Sequence, residues 1–240
     1  GLTEKATVPA DADDEASRTR AALAALDAEL GAGWVTSVTP AFASERAVLI
    51  DDRWATARED VARLGSGETD LDAFRRLLAP ERFVGLGQAV ADHATWWAKQ
   101  VKASDLADGA ERAAVLTAIA QAAPRTPQAG DATVRWSEDV AVVTGVAPGS
   151  IAAAVVGELL AGGATVVATS SRLTHERLEF ATTLYREHAA AGAKLWMVPA
   201  NLSSYRDVDA LAEWIGNDQV VTSGGSTKVV KEALVPTLLF

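Results

Sequence analysis

Apolar positions recur in two ways along this chain. Helical spacing dominates the first half, and short apolar runs alternate with amphipathic stretches in the second. Leu23, Leu26 and Leu30 share one face of a helix predicted over Ser17–Leu30, with Gly31 as its stop. Ala47–Ile50 predicts a short strand or a buried approach to the next helix. Asp51 is the expected N-cap of the next helix, on which Trp54, Val61 and Leu64 share a face. Asp70 is expected to cap a helix over Leu71–Leu78 that Pro80 ends. Leu86, Val90, Trp97 and Val101 mark a longer helix, and Leu116 with Ile119 another. Residues 17–125 therefore read as a mainly helical region. Residues 1–16, rich in Ala, Asp and Thr, read as a linker or a disordered arm.

Pro124–Gly130 is the clearest break. Beyond it, strands are predicted at Val140–Thr144, Ala164–Thr169 and Lys194–Val198. Helices are predicted at Ser150–Ala161, Thr174–Ala191 and Tyr205–Ile215. Strands and helices alternating at this spacing argue for a parallel sheet. The fold class is α/β: a partial Rossmann-type sheet over 126–240, preceded by the helical region. The terminal run Val235–Phe240 reads as a buried strand cut short, and with Gly1 at the start the chain reads as an excised piece.

The first predicted strand passes into its helix through Thr144-Gly145-Val146-Ala147-Pro148-Gly149-Ser150-Ile151. A glycine turn between strand and helix is the context that dinucleotide binding requires. Gly145 lets the chain turn off the strand. Gly149 and Ser150 open the helix, so their N–H groups and the helix dipole are expected to face a pyrophosphate. The spacing resembles the Thr-Gly-x-x-x-Gly-x-Gly of short-chain dehydrogenases/reductases, with Ile151 where the third glycine stands.

The second strand ends in Thr169-Ser170-Ser171-Arg172. An NAD enzyme places Asp or Glu near here to accept from the ribose 2′-OH. Two hydroxyls and a guanidinium suit a 2′-phosphate instead, so NADPH is the expected cofactor. Past the third strand, Asn201 and Leu202 resemble the Asp and apolar residue that short-chain reductases often place beside the adenine, which implies the same contact here; taken alone, Asn201 reads as a turn residue. The candidate cofactor-binding set is Gly145, Ala147, Pro148, Gly149, Ser150, Ile151, Ser170, Ser171, Arg172, Asn201 and Leu202.

Charge narrows the partners. The net charge is −10 at pH 7, which disfavours nucleic acid and anionic membrane, so an anionic cofactor must be held by local geometry. No apolar run approaches the roughly 18–20 residues that cross a bilayer. The chain has no cysteine, which excludes disulfides and thiolate chemistry and fits a reducing, cytoplasmic compartment. His93, His175 and His188 have no metal-ligand spacing with one another, and no metal is expected. No Gly-x-Ser-x-Gly elbow or Walker loop occurs.

Val142–Ile151, Thr169–Arg172 and Asn201–Val208 together resemble the ketoreductase domain of type I fatty acid synthases, of the fungal and the mycobacterial or corynebacterial kinds. Asp51–Asp60 is similar to the region preceding that domain in the bacterial synthases. The resemblance implies NADPH-dependent reduction of β-ketoacyl groups on acyl carrier protein, within a homo-oligomeric megasynthase chain. It also implies that the catalytic Ser, Tyr and Lys lie beyond Phe240 and that this piece alone is inactive. Neither Tyr185 nor Tyr205 heads a Tyr-x-x-x-Lys, so no catalytic residue is assigned. Two rival readings stay open. One is part of a free-standing short-chain reductase or epimerase, and the other a non-catalytic docking segment of a synthase.

Overall fold

The computed structural model describes residues 15–30, 40–72, 79–223 and 226–240. Residues 1–14 of the expected linker 1–16, the stop at Gly31 and most of the expected helix Leu71–Leu78 lie outside them, while residues 15 and 16 already belong to a helix. By internal contacts the chain divides into two compact units. One is formed by Gly1–Phe42 with Ala200–Ala233, the other by Ala43–Pro199 with Leu234–Phe240.

The larger unit contains the parallel sheet. Strands β2 (Val140–Val143), β3 (Thr165–Ser170) and β4 (Lys194–Pro199) pair in parallel, with Val143 beside Ala168 and Ala168 beside Met197. Each is a nearly continuous apolar run, as a strand buried on both faces requires. Two more strands extend the sheet to the order β1-β4-β3-β2-β7. β1 (Val48–Ile50) lies antiparallel on β4, and β7 (Leu238–Leu239) lies parallel on β2. β2 therefore lies between β3 and β7, which both follow it in sequence on opposite sides, and a parallel sheet whose strand order reverses in this way opens a crevice at the carboxyl end of its strands.

The crossovers are helices α5 (Ile151–Ala161) and α6 (His175–His188). Ser150 and Thr174 cap them, each side-chain oxygen accepting a first-turn amide. They pack together: a Cβ on Gly157 of α5 would lie 3.0 Å from the His188 ring of α6. Val143, Val156, Leu160, Val166, Tyr185, Leu195 and Met197 close the core between helices and sheet. Each such side chain contributes about 1.5–3 kcal/mol by leaving water.

The helices of this unit's N-terminal part form a second core. In α2 (Arg53–Ser66), α3 (Gln88–Lys102) and α4 (Gly109–Ala122), Val61, Leu64, Val90, Val101, Leu116 and Ile119 meet around Phe83. Several expectations need correction here. The cap of α2 is Asp52, which accepts from the Ala55 amide at 2.8 Å, and not Asp51. Its buried face runs through Arg53, Ala57, Asp60, Val61 and Leu64. That register turns Trp54 outward, 41% exposed with the Arg58 guanidinium stacked 4.8 Å from its ring. Leu86 precedes α3 instead of lying on it. The terminal run does form a strand, yet Val235, Leu239 and Phe240 are exposed and not buried.

The smaller unit contains α1 (Glu15–Leu30), α7 (Tyr205–Gly216) and a hairpin of β5 (Gln219–Ser223) and β6 (Ser226–Lys231). The hairpin is absent from the expectations above. Lys231 fixes it to the end of α7, where its ammonium donates to the carbonyls of Ile215 and Asn217 at 3.0 Å and sits 4.8 Å from the Trp214 ring. A cation there complements the negative end of the helix.

Candidate cofactor-binding site

The turn between β2 and α5 is held open from both sides. The Val146 amide donates to the Thr169 carbonyl at 3.2 Å, which draws the turn against the end of β3. The Thr144 amide and hydroxyl both donate to the Phe240 carbonyl, at 2.9 and 3.1 Å, which ties the other side to β7. The turn thus sits at the carboxyl end of β2, between its two neighbours.

Within the turn, Gly145 and Gly149 adopt φ of +70° and +72°, a region costly for residues with a side chain. Nothing lies within 4 Å of where their Cβ atoms would be, so the backbone is bare to an incoming group. Pro148, between them, is exposed as well.

Ser150 is the hub. Its Oγ accepts from the amides of Ala147 at 3.2 Å and Ala153 at 3.1 Å, and donates to the Ala147 carbonyl at 2.8 Å. Its own amide donates to that same carbonyl at 3.1 Å. The Ser150 N–H expected to face a phosphate is therefore occupied within the turn. Helix geometry leaves the amides of Ile151 and Ala152 without an intrahelical acceptor, and these are the first-turn donors available to an anion. Ile151, in the place of the third glycine, is 86% exposed and points its side chain away from the sheet.

At the end of β3 the three candidates separate by role. Ser170 is buried, and its Oγ donates to the Arg172 carbonyl at 3.0 Å. Ser171 and Arg172 are exposed, and Arg172 makes no ion pair among the described residues. The turn and the Ser170–Arg172 loop lie side by side through the Val146–Thr169 bond. Bare backbone, two first-turn donors and an open guanidinium fit the phosphates of a dinucleotide.

Asn201 and Leu202 belong to the smaller unit. Asn201 closes a turn there: its Oδ1 accepts from the Ser203 amide at 3.1 Å, and its carbonyl accepts from the Ser204 amide at 2.8 Å. Leu202 is exposed. The residue that organises this turn is Asp207. Its Oδ2 accepts the amides of Ala41, Phe42 and Asn201 at 2.7, 2.9 and 2.7 Å. Its position in the first turn of α7 was readable, but the three amides that converge on it were not.

Tyr185 offers no proton donor to a bound substrate. Tyr185 is sealed in the core, its hydroxyl donating to the Ala193 carbonyl at 3.1 Å, and burial pushes its pKa well above the usual phenol value. Among the described residues no group of acidic or histidine side chains is placed to hold a metal ion. No described helix is long and apolar enough to cross a membrane.

No protein-family model matches the chain. Over 103 residues it is 38% identical to the fatty acid synthase subunit alpha of Schizosaccharomyces pombe, a stretch covering 43% of this chain and 6% of that subunit. Over 105 residues it is 39% identical to the fatty acid synthase alpha subunit pigJ of Monascus ruber, covering 44% of this chain and 6% of pigJ. Over 82 residues it is 39% identical to the fatty acid synthase subunit alpha of Saccharomyces cerevisiae, covering 34% of this chain and 4% of that subunit. The chain thus carries a stretch related to a fatty acid synthase, and matches only a small fraction of the length of these relatives.

Proposed function

We propose that this chain is the cofactor-holding part of the NADPH-dependent 3-oxoacyl-[acyl-carrier-protein] reductase of a fatty acid synthase, of the actinobacterial kind, acting in fatty acid biosynthesis. The observation that carries the reading is the bare glycine turn at the carboxyl end of β2, with the exposed Arg172 beside it, in a chain related to fatty acid synthase subunits. Residues 126–240 form the cofactor-binding half, and 17–125 its helical support. Bound NADPH supplies the hydride. The amides of Gly149, Ile151 and Ala152 hold the pyrophosphate, and Ser171 with Arg172 holds the 2′-phosphate. The acyl substrate comes on acyl carrier protein, and the remaining partners are the rest of a cytoplasmic, homo-oligomeric synthase.

Arg172→Ala tests the reading. A charge-assisted contact of this kind is worth about 1.5–3 kcal/mol, so NADPH affinity falls roughly ten- to hundredfold while NADH affinity holds. Titration calorimetry with both cofactors measures the two losses. Equal weakening would show that Arg172 does not read the 2′-phosphate.

A further inference from the structure

We propose that Ser170 and Arg46 set the cofactor preference of this site without touching the cofactor, by fixing the backbone from which Arg172 projects. The inference rests on the reading of the site as one for NADPH. A serine hydroxyl carries one proton, and that of Ser170 is given to the Arg172 carbonyl at 3.0 Å, so it is not free for a phosphate. The next carbonyl, that of Leu173, accepts from the Arg46 Nη2 at 3.1 Å. Arg46 comes from the short turn Ser44–Arg46 that leads into β1, far from this loop in sequence. One residue further on, the Thr174 hydroxyl accepts from the Arg177 amide at 3.3 Å and starts α6.

Three successive residues are therefore anchored, by three different elements. Arg172, in contrast, has an exposed side chain with no ion pair among the described residues. A long, mobile side chain binds best when the backbone beneath it is already placed, because less freedom is lost on contact. Losing either strut should blur where the guanidinium points. The 2′-phosphate would feel that loss, and NADH, which lacks the phosphate, would not.

The test is titration calorimetry of NADPH and NADH on the full chain and on Ser170→Ala, Ser170→Thr, Arg46→Ala and Arg172→Ala. We expect the NADPH-over-NADH preference to fall about three- to tenfold in Ser170→Ala and in Arg46→Ala, less than in Arg172→Ala. NADH affinity should stay within about twofold, which also reports an intact fold, and Ser170→Thr should restore the preference. Arg46 is exposed, so its variant carries the test should Ser170→Ala fold poorly. An unchanged preference in both alanine variants, with Arg172→Ala losing it, overturns the inference and leaves the NADPH reading standing. A parent chain without any preference for NADPH overturns both.

Discussion

Replacing Arg53 by methionine is expected to cost about 3–5 kcal/mol of stability at pH 8, and distinctly less at pH 5. Arg53 is a buried cation in the helical core. Its Nε donates to the Ala189 carbonyl at the end of α6 at 2.9 Å, and its guanidinium lies 5.2 Å from the centre of the Phe83 ring. Its Nη1 stands 3.5 Å from Asp60 Oδ2, an ion pair too long for a good hydrogen bond. Arg186 Nε approaches the other Asp60 oxygen at 3.6 Å, while the Nη2 of the same guanidinium pairs with Glu59. Burial pushes the Asp60 carboxyl up to about 6, against the pull of Arg53 and Arg186. Methionine keeps the apolar stem and removes the charge, so Asp60 loses one of its two cations and is left buried beside Arg186, which it shares with Glu59.

The pH dependence follows from the direction of that shift. A carboxyl whose pKa is raised on folding adds stability below its unfolded value, near 4, and loses it as pH rises through the folded value. Without Arg53 the folded value climbs further, so the loss extends above pH 6. At pH 5 the carboxyl of the variant is already protonated and the deficit shrinks. Urea unfolding at pH 5 and pH 8 reads both. A deficit of the same size at the two pH values would show that Asp60 is not the group left stranded.

The second large effect is expected at Asp207. Asp207→Ala should cost about 3 kcal/mol, because three amides that converge on one carboxylate oxygen lose their acceptor together. Ala has the higher helix propensity and offsets only a few tenths of that within α7. Asp207→Asn retains an acceptor oxygen and should fall between the two. Amide hydrogen exchange localises the effect: protection at Ala41, Phe42 and Asn201 drops together in Asp207→Ala. Unchanged protection at these three amides would contradict the role of Asp207 as the organiser of this turn.

What was legible in the sequence is what local chemistry decides. The apolar runs of β2, β3 and β4 and the starts of the helices that follow them fall within a residue of their expected places. These depend on pairing periodicity and on hydroxyls beside the first turn of a helix, which a sequence displays directly. Partner choice over long distances was not legible. Nothing near Val48–Ile50 tells that it joins β4 antiparallel, or that Arg46 reaches the loop after β3. Nor does spacing alone show that Arg53, and not its neighbour Trp54, faces the core, because an apolar ring is the default choice for burial. The hairpin had a usable signal: two runs containing paired valines flank Gly224-Gly225, a pattern favoured at tight turns. The role of Ser150 was half visible. A serine at a helix start predicts a cap, but its grip on Ala147 depends on the turn geometry.

The account stands or falls on whether the glycine turn holds the phosphates of NADPH. Amide chemical-shift mapping of the full chain during an NADPH titration tests this most directly. The account predicts saturable shifts, largest at Gly145, Gly149, Ile151 and Ala152 and at Ser171 and Arg172. An absence of saturable shifts at these amides, or larger ones among the residues of α3 and α4, would contradict it.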